Sequence, residues 1–146
     1  DLADILEDSS IVKVFHDVRA VNDMLVHKYK VRMQNVYDTL ATHIVNLTWV
    51  SLGGFIPKYT YSVSHLCREY LGVKSAELFF PHYRLSSLAA DSAIWMIRPM
   101  EERLKIGALR NVMYLLDLHE YTREVHNRPM KDITIHFMNT IAEVRQ

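Results

Sequence analysis

The run from Ile11 to His16 constrains the fold of this chain more than any other segment. It is short, rich in β-branched residues and almost wholly apolar, which is typical of a central strand covered on both faces. Helical spacing follows it at once, and a second short strand is predicted at Val31 to Val36, ahead of a helix from Leu40 to about Trp49. Because strand and helix alternate, the sequence predicts an α/β protein with helices flanking a sheet.

The remaining sequence adds helices without a visible domain boundary. A loop is expected at Gly53-Gly54, and the next helix is expected to end at Gly72, which suits a left-handed C-cap. Glu101 to about His126 is predicted as one helix or two in series, while residues 76–97 stay largely unassigned. The predicted apolar face of this segment consists of Leu104, Ala108, Val112 and Leu115, broadened by Leu109, Leu116 and Tyr121. A final helix from about Asp132 carries an apolar stripe of Ile133, Phe137, Ile141 and Val144. With 146 residues and no linker or repeat, the prediction is one domain over residues 1–146.

The helix after the first strand carries the most informative pattern. Asp17 is expected to cap it, and its apolar residues recur at three- and four-residue spacing. This spacing predicts one buried face made of Val18, Val21, Leu25 and Tyr29. Asp38 is interpreted as the cap of the next helix rather than as a metal ligand.

The charge pattern leaves only local surfaces for binding a polyanion. The 17 basic and 17 acidic residues give no net charge, so any nucleic-acid contact must come from a patch. The best candidate is the cluster of Lys28, Lys30 and Arg32 with His27 and Tyr29, since such side chains neutralise phosphates and stack on a base. A solvated helix end is the equally weighted alternative. Arg98, Arg103 and Lys105 form a second candidate cluster.

Several classes of protein are disfavoured by the sequence. No apolar run is long enough to span a membrane, and the lone Cys67 cannot form an internal disulfide, which favours the cytoplasm. The eight histidines show no zinc-ligand spacing: after His119-Glu120, the position that a zinc protease would require as histidine is Arg123. No metal or other cofactor is therefore predicted.

Four segments, taken in order, resemble the RNase D-like 3′-5′ exonuclease family. Those segments are K-V-F-H-D at 13–17, N-V-Y-D-T-L-A at 35–41, L-C-R-E-Y-L-G-V at 66–73, and Trp95 with R-P-M at 98–100 followed by V-M-Y-L-L at 112–116. The resemblance is strongest to the exonuclease 3′-5′ domain-containing proteins of the animal piRNA pathway. It implies a ribonuclease H-like fold with a mixed sheet, whose first strands and first acidic motif would precede Asp1.

The chain departs from the family at the residues that bind metal in active members. The second motif has an aspartate five residues after its histidine, which is Val21 here; the third has a tyrosine and an aspartate, which are Gly107 and Asn111. Two-metal hydrolysis needs anionic oxygen ligands that hold two ions roughly 3.5–4 Å apart. Valine and glycine provide none, so we expect an inactive exonuclease domain. A shifted carboxylate, Asp17 or Asp23, is a less favoured means of rescue.

The predicted function is that of an RNA-binding adaptor in piRNA biogenesis, present as a homodimer. The resemblance also implies a Tudor-domain partner, a PIWI protein and a cytoplasmic germ granule. A divergent active exoribonuclease is one alternative. A scaffold that binds only protein, or an RNA-transport adaptor of the Egalitarian type, is the other.

Overall fold

The computed structural model describes residues 1–48, 59–74, 78, 92–110 and 112–125. Within these ranges the elements follow in the order α1 (Leu2–Glu7), β1 (Lys13–Phe15), α2 (Arg19–Met24), a π-turn (Leu25–Tyr29), β2 (Val36–Asp38), α3 (Thr39–Asn46), α4 (Val63–Leu71), a 3₁₀ turn (Ser92–Met96), α5 (Glu102–Arg110) and α6 (Leu115–Val125). The described residues thus form an α/β arrangement with a small sheet, as the alternation of strand and helix predicted.

The two strands pair in parallel, with Lys13 opposite Val36 and Phe15 opposite Asp38. Both are shorter than predicted. Ile11 and Val12 lie outside β1 and are 40% and 46% exposed. The prediction of a strand from Val31 was wrong, because the Gln34 N–H donates to Leu6 of α1 and Asn35 adopts a left-handed φ of 51°, so extended pairing begins only at Val36.

The first strand is covered on both faces, as its apolar sequence predicted. Val14 packs against a core cluster of Leu66, Cys67, Leu78, Leu115 and Leu118. Phe15 points to the opposite face and packs against Val18, Met33 and Val36. Helix α6 contacts β1, α3 and α4, so one face of the sheet carries these helices and the other carries α1 and α2.

The later helices differ from their predicted faces. Residues 112–114 form a turn between α5 and α6, so two helices form in series; Leu104 and Leu115 are buried as expected. Leu109 and Leu116, expected on the buried face, are 57% and 67% exposed. Leu109 precedes the turn and lies about 140° around α5 from the buried Leu104, whereas Leu116 follows the turn, which interrupts the helical register. Helix α4 ends at Gly72 with φ 65°, which confirms the predicted left-handed cap. Predictions for Trp49, Gly53-Gly54, residues 79–91 and the final helix lie outside the described residues.

No helix in the described part of the chain is both long enough and apolar enough to cross a membrane.

Candidate functional site

The turn between β1 and α2 is built around two aspartates with different roles. Asp17 adopts a left-handed φ of 58°, and its carboxylate accepts two bonds from Arg19, Nε to Oδ1 at 2.7 Å and Nη2 to Oδ2 at 2.9 Å. These hydrogen bonds hold the pKa of Asp17 below its usual value. The prediction that Asp17 caps α2 was wrong: the N-cap is Val18, and it has no side-chain cap bond.

The Asp38 carboxylate holds this turn in place by accepting hydrogen bonds from its backbone. Its side chain is fully buried and accepts four backbone N–H bonds, from Asp17 (3.0 Å), Val18 (2.8 Å), Leu40 (2.8 Å) and Ala41 (3.3 Å). The interpretation of Asp38 as the cap of α3 is confirmed. The same carboxylate also binds the backbone that enters α2, so one residue fixes the start of both helices.

Val21 occupies the edge of the inward face of α2. The residues that point inward follow the spacing Val18, Asn22 and Leu25: Val18 and Asn22 are buried, and Leu25 packs on the Val18 cluster. Val21, by contrast, is half-buried, and Tyr29 is 55% exposed. The predicted stripe was therefore wrong for Tyr29, because the wider π-turn after Met24 changes the helical register. It was only partly correct for Val21, which precedes that turn.

A histidine and tyrosine cluster lies between β1, α3 and α4. The imidazole of His16 lies 3.0 Å from the Thr39 hydroxyl and 2.8 Å from the Tyr61 carbonyl oxygen. His43 is buried, with Nδ1 2.7 Å from the Tyr70 hydroxyl, and no described residue forms a hydrogen bond with its Nε2. Burial, followed by the nearby charge of His65, lowers the pKa of His43 to about 4. Sequence reasoning missed this cluster, since its members are far apart in the chain and follow no motif spacing.

The cluster of Lys28, Lys30 and Arg32 is brought together at the surface after α2. All three residues are exposed, as are His27 and Tyr29. Lys28 Nζ lies 5.3 Å from the centroid of the Tyr29 ring, and Lys30 Nζ donates to the His27 carbonyl at 3.0 Å. The Arg32 N–H donates to the Glu7 carboxylate at 2.9 Å, which ties the segment to α1.

The second basic cluster consists of Arg98, Arg103 and Lys105, and all three side chains contact neighbouring residues. Arg98 donates to the carbonyl oxygens of Trp95 and Ile97. Arg103 pairs with Glu101 at 3.8 Å, and Lys105 pairs with Glu102 at 3.1 Å. The positive charge of this cluster is therefore partly neutralised by Glu101 and Glu102.

Comparison with known proteins identifies the family of this chain. The family model described as 3′-5′ exonuclease matches residues 1–127. The chain belongs to the 3′-5′ exonuclease family. The resemblance inferred from the four motifs is thereby confirmed, and membership implies a ribonuclease H-like fold for this exonuclease domain.

The chain is similar to several known proteins, among them proteins named for piRNA biogenesis. It is 31% identical over 140 residues to the piRNA biogenesis protein EXD1 of Mus musculus, which covers 95% of this chain and 24% of that protein. It is 54% identical over 39 residues to the Egalitarian protein homolog of Caenorhabditis elegans, 27% of this chain and 7% of that protein. Exosome complex component 10 of Mus musculus is 29% identical over 123 residues, 84% of this chain and 11% of that protein. The chain spans about a quarter of the length of the EXD1 protein of Mus musculus.

Two of the exonuclease positions singled out by sequence fall within described elements. Gly107 is buried in α5, and Val21 lies in α2; Asn111 is outside the described residues. Among the residues that the structure describes, no three His, Cys, Asp or Glu side chains are grouped so that they could hold a metal ion. Cys67 is buried, and burial raises the pKa of its thiol to about 11, so it is a core residue rather than a nucleophile.

Proposed function

We propose that this chain is a catalytically inactive exonuclease domain that binds RNA and acts as a homodimeric adaptor in piRNA biogenesis and transposon silencing. One observation carries the proposal: Val21 stands where active members of the family have the second-motif aspartate, and the carboxylates of Asp17 and Asp38 are engaged in hydrogen bonds. The fold proposed with it is a single ribonuclease H-like domain with a mixed sheet.

The neighbouring carboxylates are poor replacements for the missing ligand. Both Asp17 oxygens accept bonds from Arg19, and Asp38 is buried beneath four N–H donors. Asp23 faces His27, with 3.7 Å between Oδ1 and Nε2. Recruiting Asp17 or Asp38 for metal would break contacts that shape the turn, and a two-metal site needs several such oxygens together. The donor set therefore does not fit the metal pair of an active exonuclease.

The third motif supports the same conclusion more weakly. Gly107 has no phenol to orient a water molecule, and Asn111 provides an uncharged oxygen at most. The loss of catalysis is therefore argued mainly from the second motif.

RNA binding is assigned to Lys28, Lys30 and Arg32. These side chains are exposed at one end of α2, next to an exposed aromatic ring, and are free to approach a phosphate chain. Relatives named for piRNA biogenesis favour an RNA-handling role over a scaffold that binds only protein. A Tudor-domain partner, a PIWI protein and a cytoplasmic germ granule are proposed on the same likeness. Similarity to an Egalitarian homolog favours RNA transport as the second candidate function.

A salt titration of RNA binding tests this assignment. Fluorescence polarisation with a labelled single-stranded RNA should show affinity that falls as salt rises, and changing Lys28, Lys30 and Arg32 to Ala should reduce the log–log salt slope by roughly 2, about 0.7 per lost phosphate contact. Lys74→Ala, at an exposed lysine after α4, is the matched control and should change little. Absence of binding at low salt would exclude the RNA adaptor and leave the protein-binding scaffold.

The proposed homodimer is supported by exposed apolar side chains along α5 and α6. Ile106, Leu109, Met113 and Leu116 are all exposed, in α5, the following turn and α6. A second copy would cover these side chains and place two basic clusters on one RNA, which raises affinity without new contacts. Light scattering should show a dimer that dissociates in the double variant Leu109→Glu, Leu116→Glu. Leu2→Glu, at an exposed leucine of α1, should leave it intact, and a wild-type monomer at high concentration would exclude the dimer.

A further inference from the structure

The segment after α2 forms an unusual turn that exposes an aromatic ring. Residues Leu25–Tyr29 form a π-helical turn, which ends where Lys30 adopts a left-handed φ of 59°. The N–H groups of Lys30 and Val31 both donate to the Leu25 carbonyl, and this closes the wide turn. Because the extra width changes the register, Tyr29 leaves the apolar face where its spacing would place it, and its ring is 55% exposed.

One cation contacts the exposed ring, and two more follow it closely in the chain. Lys28 Nζ lies 5.3 Å from the ring centroid, within the range of a cation–π contact. Lys30 Nζ donates to the His27 carbonyl, and Arg32 follows two residues later in the chain. Among the described residues, Asp23 faces His27, and the Glu7 carboxylate accepts the backbone N–H of Arg32.

This combination of ring and charge favours one form of nucleic acid. A duplex offers a protein surface its phosphates and groove edges, while the faces of its bases are already stacked. A single strand offers unpaired bases that stack on aromatic side chains, with phosphates on either side for cations. We propose that Tyr29 is a stacking platform for an unpaired base and that this surface binds single-stranded RNA in preference to duplex RNA. The proposal rests on the RNA-binding function proposed above.

Matched probes separate stacking from charge. The full chain is titrated with three labelled probes: an oligouridine, an abasic oligomer of the same length and backbone charge, and a blunt RNA duplex. If Tyr29 stacks on a base, the oligouridine binds at least about fivefold more tightly than the abasic oligomer. Tyr29→Ala then reduces oligouridine affinity to that of the abasic oligomer and leaves abasic binding unchanged.

Two control variants keep the comparison specific. Tyr29→Phe retains an aromatic face and should bind oligouridine like the wild type. Tyr59→Ala removes an exposed tyrosine from another segment and should have no effect. Circular dichroism shows whether each variant is folded.

Each contrary outcome identifies the step that fails. Equal affinity for oligouridine and abasic oligomer, or no loss in Tyr29→Ala, overturns the stacking platform while the RNA-binding function stands. Duplex affinity equal to or above oligouridine affinity overturns the preference for single strands. Failure of all three probes to bind overturns the proposed function and this inference together.

Discussion

Individual buried polar residues decide the local geometry of this domain, and Asp38 is the clearest case. It is fully buried and accepts four N–H bonds at the start of two helices. A carboxylate so placed satisfies donors that would otherwise be buried without a partner.

Replacing Asp38 should therefore destabilise the protein strongly. Asp38→Ala is expected to lower the free energy of unfolding by about 2–4 kcal/mol, since two helix starts lose their acceptor. Asp38→Asn, which keeps one oxygen, should cost less. Urea unfolding measures both, with Asp17→Asn as the control: its partly exposed pair with Arg19 should contribute below about 1 kcal/mol. Equal losses for Asp38→Ala and Asp17→Asn would contradict the shared cap.

The buried His43 predicts how stability depends on pH. Its pKa is about 4 in the folded protein, against the ordinary 6.5, because burial disfavours the charged ring and His65 adds to this effect. Between pH 6.5 and about 4 the unfolded chain binds the additional proton, so stability falls as pH falls through this window, by up to about 3 kcal/mol. Other groups titrate there too, including His119, whose pKa burial also lowers.

The contribution of His43 is isolated by comparison with His43→Gln, which cannot titrate. The difference in unfolding free energy between pH 7 and pH 4 should be smaller in this variant than in the wild type. An identical pH dependence in the two proteins would show that His43 is not the responsible group.

At the scale of elements, turns limited what could be predicted from the sequence. The alternation of apolar runs predicted the first strand, the α4 helix with Gly72 at its end, and two-sided burial of β1, because each depends on local spacing or on one special residue. The start of β2 and the exposure of Tyr29 depend on left-handed Asn35 and on the π-turn. Asparagine favours the left-handed region, so Asn35 carried a weak local signal, whereas no residue preference marks the π-turn or the turn at 112–114. The histidine cluster, formed by contacts between distant segments, was equally hidden.

The cap of α4 provides a prediction at this scale. Gly72 has φ 65°, and an added Cβ would meet no atom within 4 Å, so the cost of a substitution is conformational alone. Gly72→Ala should therefore lower stability by about 1–2 kcal/mol, while Gly72→Asn, which tolerates this region better, should cost less. Thermal unfolding of the two variants tests the order; a larger loss for Asn than for Ala would refute the conformational explanation.

For the molecule as a whole, family membership establishes the exonuclease framework, and the loss of the second-motif ligand is the central proposal. The family membership covers most of the chain, and the buried Asp38 still organises the turn that carries the second motif. Since Val21 is only half-buried, the position can accept a charged side chain at modest cost, whereas Gly107 is buried and a tyrosine there would overpack α5.

Introducing the family's metal-binding residues at these positions should reveal the difference in packing between Val21 and Gly107. Val21→Asp with Asn111→Asp is expected to fold, while adding Gly107→Tyr should lower the unfolding free energy further, by about 1–3 kcal/mol. Nuclease activity gained by either variant would confirm the alignment of the motifs. Unfolding of Val21→Asp alone would contradict the half-buried position of Val21.

The most direct test of lost catalysis is to measure binding and cleavage of one RNA in one reaction. A single-stranded RNA labelled at its 5′ end is incubated with excess protein and Mg²⁺ or Mn²⁺, with and without EDTA, and both the bound fraction and the RNA length are recorded. We predict salt-sensitive binding with the RNA remaining full length in every condition. Progressive shortening from the 3′ end that EDTA abolishes, and that weakens in Asp17→Asn or Asp23→Asn, would show that the domain is an active exonuclease.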